Sequence, residues 1–197
     1  DVNNLGGISG IAGFNTRLVI DASQGRPENI AGTSTITLTP QATAYNNMGV
    51  PGAKSFHLTF PGYGALNPYF ARHATSPTAT VLGDAMSKNP TFFTNWIGAN
   101  DVLAYATNGG ASLLPATDQT GNPNVASYGS NDITDPTFFA GVYTNIINTL
   151  TGGPNSAKGV VATVPSVTSI PYFTTVPFAP LTAAGLGRPL LPPGSTI

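Results

Sequence analysis

The chain has 197 residues, 41% of them apolar and only 8% charged, with a formal net charge of −1. That length fits one domain able to bury a core, and the apolar share excludes disorder on compositional grounds. So little charge leaves no basic patch to neutralise phosphates, which argues against nucleic acid as a partner.

Cysteine is absent, so disulfides, thiolate metal sites and a cysteine nucleophile are excluded and the redox compartment stays open. With 23 Gly and 18 Pro, turns and ordered loops are abundant. No apolar run approaches the roughly 20 residues that span a bilayer. The sequence starts "DVNNLGG", without an initiator methionine or a signal peptide, and reads as a processed or partial chain. Low charge with many Asn, Thr and Ser correlates with secreted and surface proteins.

In chain order, residues 1–45 are Gly-, Thr- and Asn-rich and form a loop- and hairpin-rich insertion. They hold the strand candidate "TRLVIDA" (residues 16–22) and the β-branched stretch "TSTITLT" (33–39), whose alternation predicts a small antiparallel hairpin or an edge insertion. Residues 46–165 form an α/β core. "SPTATVLGDAMSKNP" predicts a short helix with Ser76 as N-cap, Pro77 at the first helical position and Val81, Leu82, Ala85 and Met86 on one apolar face. Pro90 stops it. "TFFTNWI" then predicts a strand buried on both sides, as in a parallel sheet, and a helix-like pattern follows its Gly-Ala-Asn-Asp end. Asp135-Pro136 opens the clearest helix, with Phe138, Phe139, Val142, Tyr143, Ile146, Ile147 and Leu150 at three- and four-residue spacing and Gly152-Gly153 closing it. "GVVATVP" (159–165) is the next strand. Strand, helix, strand at this spacing is a βαβ crossover, so the class is α/β with a mainly parallel sheet. Residues 166–197 are a proline-dense tail without periodicity, and the whole chain is expected to be a single domain.

In such sheets ligands bind beyond the carboxyl ends of the strands, and two segments point there. In "AYNNMGVPGAKS" (44–55) a strand end runs into a turn with Gly49, Pro51 and Gly52, and the backbone N–H of Gly52 can approach a ligand closely. In "WIGANDVL" Gly98, Asn100 and Asp101 follow the apolar strand. An Asn amide and a glycine N–H aimed at one point are what an oxyanion hole needs. The same residues also fit a plain turn with an Asx-type cap on the next helix. A second copy of the short pattern, Gly129, Ser130, Asn131 and Asp132, follows no buried strand and reads as a loop.

The phrases "NNMGVPGAKSFHL", "NPTFFTNWIGANDVLAYATNGG", "YGSNDITDPTFFAGVY" and "GVVATVPSVTSIPYFTTVP", in this order, resemble the SGNH (GDSL) esterase and lipase superfamily, in a branch common among bacterial surface lipoproteins. The resemblance implies a three-layer, flavodoxin-like α/β fold with a mainly parallel sheet, incomplete here at both ends. It implies a serine-type ester hydrolase in which Gly52 (Gly49 being the other choice) is the second-block oxyanion glycine and Asn100 the third-block asparagine, with Gly98 shaping the turn and Asp101 capping the following helix. The substrate would be a small-molecule, lipid or carbohydrate ester, and the location secreted, periplasmic or at the cell surface as an outer-membrane lipoprotein, with any lipid anchor outside this chain. The first block, Gly-Asp-Ser or Gly-Asn-Ser, and the last, Asp-x-x-His, are not present; "GDAMS" (83–87) lies inside a helix. His57 reads as a packed histidine, His73 as a loop residue, and Ser55 has no base. The chain alone is therefore expected to be inactive, either as part of a longer hydrolase or as a relative that keeps the scaffold only. The alternative function is a non-catalytic surface module binding carbohydrate or a protein partner through loop aromatics such as Tyr63, Tyr69, Phe70 and Tyr172. A structural part of an envelope assembly is a third reading. The sequence suggests no cofactor and no metal site.

Overall fold

The computed structural model describes residues 6–8, 11, 14–32, 38–110, 119–170 and 173. Strand β1 (Leu18–Asp21) pairs antiparallel with β2 (Arg26–Asn29), Leu18 opposite Asn29 and Asp21 opposite Arg26. The hairpin forms, but the partner of "TRLVIDA" is "RPEN" rather than the β-branched stretch, of which 33–37 lie outside the described residues. The reason is a local turn. The Asp21 carbonyl accepts from Gly25 N–H at 2.8 Å, Gly25 sits at φ +66°, and the Asp21 carboxylate takes the N–H and hydroxyl of Ser23. The two Ser23 donors, helped by Gln24 Nε2 at 3.0 Å, hold the Asp21 carboxyl below its ordinary pKa.

A short helix α1 (Pro68–Ala71) and α2 (Val81–Ser87) lead to β3 (Phe92–Asn95). Thr80, not Ser76, caps α2: its Oγ1 accepts from Gly83 N–H at 2.9 Å. Residues 76–79 instead close a turn, with Ala79 N–H donating to the Ser76 carbonyl. Val81 and Leu82 are buried as the periodicity expects. The helix ends before Pro90, with Asn89 left-handed at φ +48°, since a residue in the α region immediately before proline is disfavoured.

After β3 come α3 (Ala99–Thr107), α4 (Pro136–Thr151) and β4 (Lys158–Val161). Asp135 caps α4, its Oδ1 accepting from Phe138 N–H at 2.7 Å, and Pro136 fills the first helical position. β4 pairs parallel with β3, Phe92 opposite Lys158 and Asn95 opposite Val161, so the βαβ crossover is present. The ring of Phe93 lies where a side chain at position 159 would go: a Cβ on Gly159 would stand 2.6 Å from it.

The core has two parts. Ala53, Tyr63, Phe70, Ala74 and Val81 form one cluster, and Leu82, Ile146 and Leu150 the other, with Phe93 and Ile97 packed on it. The expectation that β3 is buried on both sides is not met. Phe92 is 60% and Trp96 76% exposed, and Val160 of β4 is 58% exposed. The alternation of a strand sends Phe93 toward α2 and α4 and Phe92 the other way, and among the described residues nothing covers that second face. Among those residues, too, no helix is long and apolar enough to cross a membrane.

Candidate functional site

The Pro51–Gly52 turn and the start of α3 lie against each other. Asn100 Nδ2 donates to the Ala53 carbonyl at 2.9 Å, so the two residues singled out by sequence, Gly52 and Asn100, are brought to one place. Gly52 is exposed, sits at φ +77°, and a Cβ on it would meet nothing within 4 Å. Its N–H donates to no described residue. An amide nitrogen carries two hydrogens, so the bond to Ala53 leaves Asn100 one N–H for another acceptor. Gly49, by contrast, gives its N–H to Asn47 Oδ1 at 3.0 Å, which removes it as a donor.

The turn is held from several sides. Asn67, 8% exposed, donates from Nδ2 to the Pro51 carbonyl at 2.9 Å and to the Tyr63 hydroxyl at 2.8 Å. The Asp101 carboxylate accepts the N–H and the hydroxyl of Ser55, both at 2.8 Å. Lys54 Nζ donates to the Asp132 carbonyl at 2.8 Å, which ties in the loop 129–132, the second copy of the Gly-x-Asn-Asp pattern. Burial pushes the Lys54 pKa down, and the charges of Asp101 and Asp132 oppose that shift. Asp101 thus does not cap α3 as expected. Pairing with a serine amide 46 residues away leaves no trace in local spacing, and neither Asn67 nor the Asp101 clamp stood out in the sequence.

Gly98 is required by shape. It adopts φ +124°, and a Cβ there would come within 2.7 Å of Val164 Cγ2 and 3.1 Å of the Phe139 ring. The chain can turn from β3 into α3 and seat on α4 only because that atom is missing.

Neither histidine is placed as a base. His57 stacks on Tyr63 at 4.4 Å, and its Nδ1 accepts the Lys54 N–H at 3.0 Å. Burial, with the nearby Lys54 charge, lowers its pKa to about 4. His73, expected in a loop, is 7% exposed and packs edge-on against Phe70 at 5.4 Å, its pKa lowered by burial and by Arg72. The Ser55 hydroxyl, fully buried, is committed to Asp101. Tyr63 and Phe70 are also buried, at 3% and 0% exposure, so they are core residues rather than part of a surface platform; Tyr172 lies outside the described residues. No three His, Cys, Asp or Glu side chains gather as metal ligands would among the described residues.

Beside the turn lies a cavity of about 890 Å³, walled by Asn47, Gly49, Val50, Asn100 and β3 and floored by Leu82, Ile146 and Leu150. Comparison with protein-family models, with curated protein sequences and with solved structures gives no match for this chain.

Proposed function

We propose that this chain carries the oxyanion-binding part of a serine-type ester hydrolase of the SGNH kind. The supporting observation is the Asn100 Nδ2 bond to the Ala53 carbonyl, which docks the proposed third-block asparagine on the proposed second-block glycine turn. The second Asn100 N–H, at the cavity wall, and the uncommitted Gly52 N–H, one residue before the Ala53 carbonyl that Asn100 holds, are the two donors of this reading. A carbonyl oxygen that becomes negative as a serine attacks an ester is stabilised by such donors, because fixed donors in a partly dry site need no reorganisation as charge develops. The serine and the base that takes its proton belong to residues other than Ser55, His57 and His73. The three-layer, flavodoxin-like scaffold and the secreted or cell-surface location are part of the same proposal. The test is turnover of p-nitrophenyl acetate by the whole encoded protein, wild type against Asn100→Ala. Removing one oxyanion donor is expected to lower kcat by about 10²–10³, with the thermal midpoint recorded alongside. Unchanged turnover in a folded variant removes Asn100 from the mechanism.

A second reading, a surface module that binds carbohydrate or protein without catalysis, draws on a different observation. Ser55, His57 and His73 are all engaged in packing or internal hydrogen bonds. A whole encoded protein without ester turnover, but with a saturable glycan or protein ligand, decides for it.

A further inference from the structure

Two Pro-Gly turns among the described residues share one geometry and are wired in opposite ways. In the turn 50–53, Ala53 N–H donates to the Val50 carbonyl at 3.2 Å, and in 60–63, Tyr63 N–H donates to the Phe60 carbonyl at 3.3 Å. Gly52 and Gly62 both sit at φ +77°. A proline in second place and a left-handed residue in third make both turns type II. In the turn 60–63 the central peptide is bonded through its N–H: Gly62 donates to the Ala79 carbonyl at 3.3 Å. In the turn 50–53 the central peptide is bonded through its carbonyl, which accepts from Asn67 Nδ2 at 2.9 Å. Pro51 has no N–H, Ala53 closes the turn with its own, and Lys54 gives its own to His57 Nδ1 at 3.0 Å. Of residues 51–54, Gly52 thus keeps an N–H that no described residue takes.

A peptide group is planar and trans, so its C=O and N–H point in opposite directions. Whatever holds the Pro51 carbonyl therefore aims the Gly52 N–H. Asn67 can do so firmly. It is buried, its other Nδ2 hydrogen goes to the Tyr63 hydroxyl at 2.8 Å, and its Oδ1 accepts the Tyr69 N–H at 2.9 Å at the start of α1. The amide cannot turn over without losing all three bonds. Glycine itself tolerates either sign of φ. A type I turn on the same residues differs by about 150° in the proline ψ and about 170° in the glycine φ, which reverses the central plane while the turn's ends stay close. Pro-Gly as a sequence leaves that flip open, and the bond to Asn67 opposes it. We propose that Asn67 is the positioning residue of the Gly52 donor: it latches the Pro51–Gly52 peptide in the type II orientation and so turns the Gly52 N–H out of the fold toward an incoming acceptor. That the acceptor is the oxyanion of an ester rests on the hydrolase reading, whereas the latch rests on the turn geometry alone.

The experiment is NMR on the whole encoded protein carrying carbon-labelled proline and nitrogen-labelled glycine, so that only Pro-Gly peptides report. Gly52→Ala identifies the 51–52 signal by removing it. The Pro51 Hα lies close to the Gly52 amide proton in a type II turn and far from it in type I, so a flip weakens their NOE by about tenfold. Asn67→Asp keeps the shape and the cap oxygen but sets a carboxylate against the Pro51 carbonyl, and is expected to show that loss. Asn67→Ala, which leaves the carbonyl unheld without repelling it, should lie between. Tyr63→Phe removes only the other Nδ2 partner and should keep the full NOE. The Pro61–Gly62 NOE should stay strong throughout, which verifies the fold in each variant. An unchanged 51–52 NOE in both Asn67 variants overturns the proposal, since Pro-Gly would then hold the turn unaided. Turnover of p-nitrophenyl acetate separates the latch from the reading it serves. With the plane flipped, kcat should fall by about tenfold or more with KM little changed. A flipped peptide with wild-type kcat, where Asn100→Ala is impaired, overturns the positioning role. Absence of turnover in the wild type tells against the hydrolase reading alone, and the NOE then decides the latch.

Discussion

Two glycines at the site are left-handed, and they are not equivalent. At Gly98 a methyl group collides with Val164 and Phe139, so Gly98→Ala combines backbone strain with overpacking and is expected to cost about 2–4 kcal/mol of folding stability. At Gly52 the space is open, and Gly52→Ala should cost only about 1 kcal/mol, the strain of a left-handed alanine. Urea unfolding of the two variants checks the order, and equal losses would mean that the Val164 and Phe139 contacts relax freely. The clamp gives a second comparison. Asp101→Ala leaves the buried Ser55 N–H without an acceptor and should cost about 2–4 kcal/mol, because charge-assisted bonds to a buried group are lost together. Ser55→Ala removes the hydroxyl alone and should cost less, and the double variant should lose less than the sum, since both changes act on one contact. Additive losses in the unfolding measurements would show that the pair is not coupled. Asn100 and Gly52 were singled out in the sequence by the order of the phrases around "NNMGVPGAK" and "WIGANDVL" and by the resemblance those phrases carry, since the short turn pattern alone fits a plain corner equally well. Asn67 and the Asp101 clamp could not be, because their partners are distant in sequence and nothing about a single Asn or Asp marks a tertiary hydrogen bond.

Among the elements, α4 shows what a sequence can carry by itself. Its cap, its proline and its apolar face all lie within 16 residues, and they agree with one another, so its bounds were legible. The cap also reaches out: Asp135 Oδ2 accepts the Gly121 N–H at 2.8 Å. Asp135→Ala is thus expected to exceed the roughly 1 kcal/mol of an ordinary cap loss, and Asp135→Ser, which restores a cap oxygen but not the second bond, should fall between it and wild type. If the two variants unfold at the same urea concentration, the Gly121 bond contributes nothing. Where elements depend on a partner, the sequence was a poorer guide. The Thr80 cap displaced Ser76 because Ser76 serves a turn against the preceding loop. "RPEN" has no strand composition, and β2 exists because the Asp21–Gly25 turn returns the chain alongside β1. The apolar run of β3 was read as burial on both faces, whereas among the described residues one face is left uncovered. A run of side chains reports what a strand is able to pack against, while the packing itself depends on what else is there.

At the scale of the molecule, the βαβ crossover was legible because strand, helix and strand each carry their own pattern; the candidate site lies where the end of β3 meets the Pro51–Gly52 turn, and the strand expected to lead into that turn is not formed among the described residues. How the turn is locked was not legible, because it rests on a buried polar and aromatic network built from Lys54, Ser55, His57, Tyr63, Asn67 and Asp101. That network makes stability depend on pH. His57 is neutral in the fold, its pKa lowered from 6.5 to about 4 by burial and by the neighbouring Lys54 charge, and His73 is shifted the same way. Below pH 6.5 the unfolded chain takes up protons that these buried rings refuse, so stability rises with pH through this range. The contribution of His57 is complete above about pH 6.5 and is lost as pH falls toward 4. Urea midpoints between pH 7.5 and 4.5 should decline accordingly. In His57→Asn the side-chain carbonyl can still accept the Lys54 N–H but does not titrate. This variant should be less stable at pH 7.5, with the Tyr63 stack gone, and should show a visibly shallower decline toward pH 4.5, His73 and the carboxylates supplying what remains. A decline of the same steepness in wild type and variant would show that His57 is free to take up its proton in the fold, contrary to its packing between Phe56 and Tyr63.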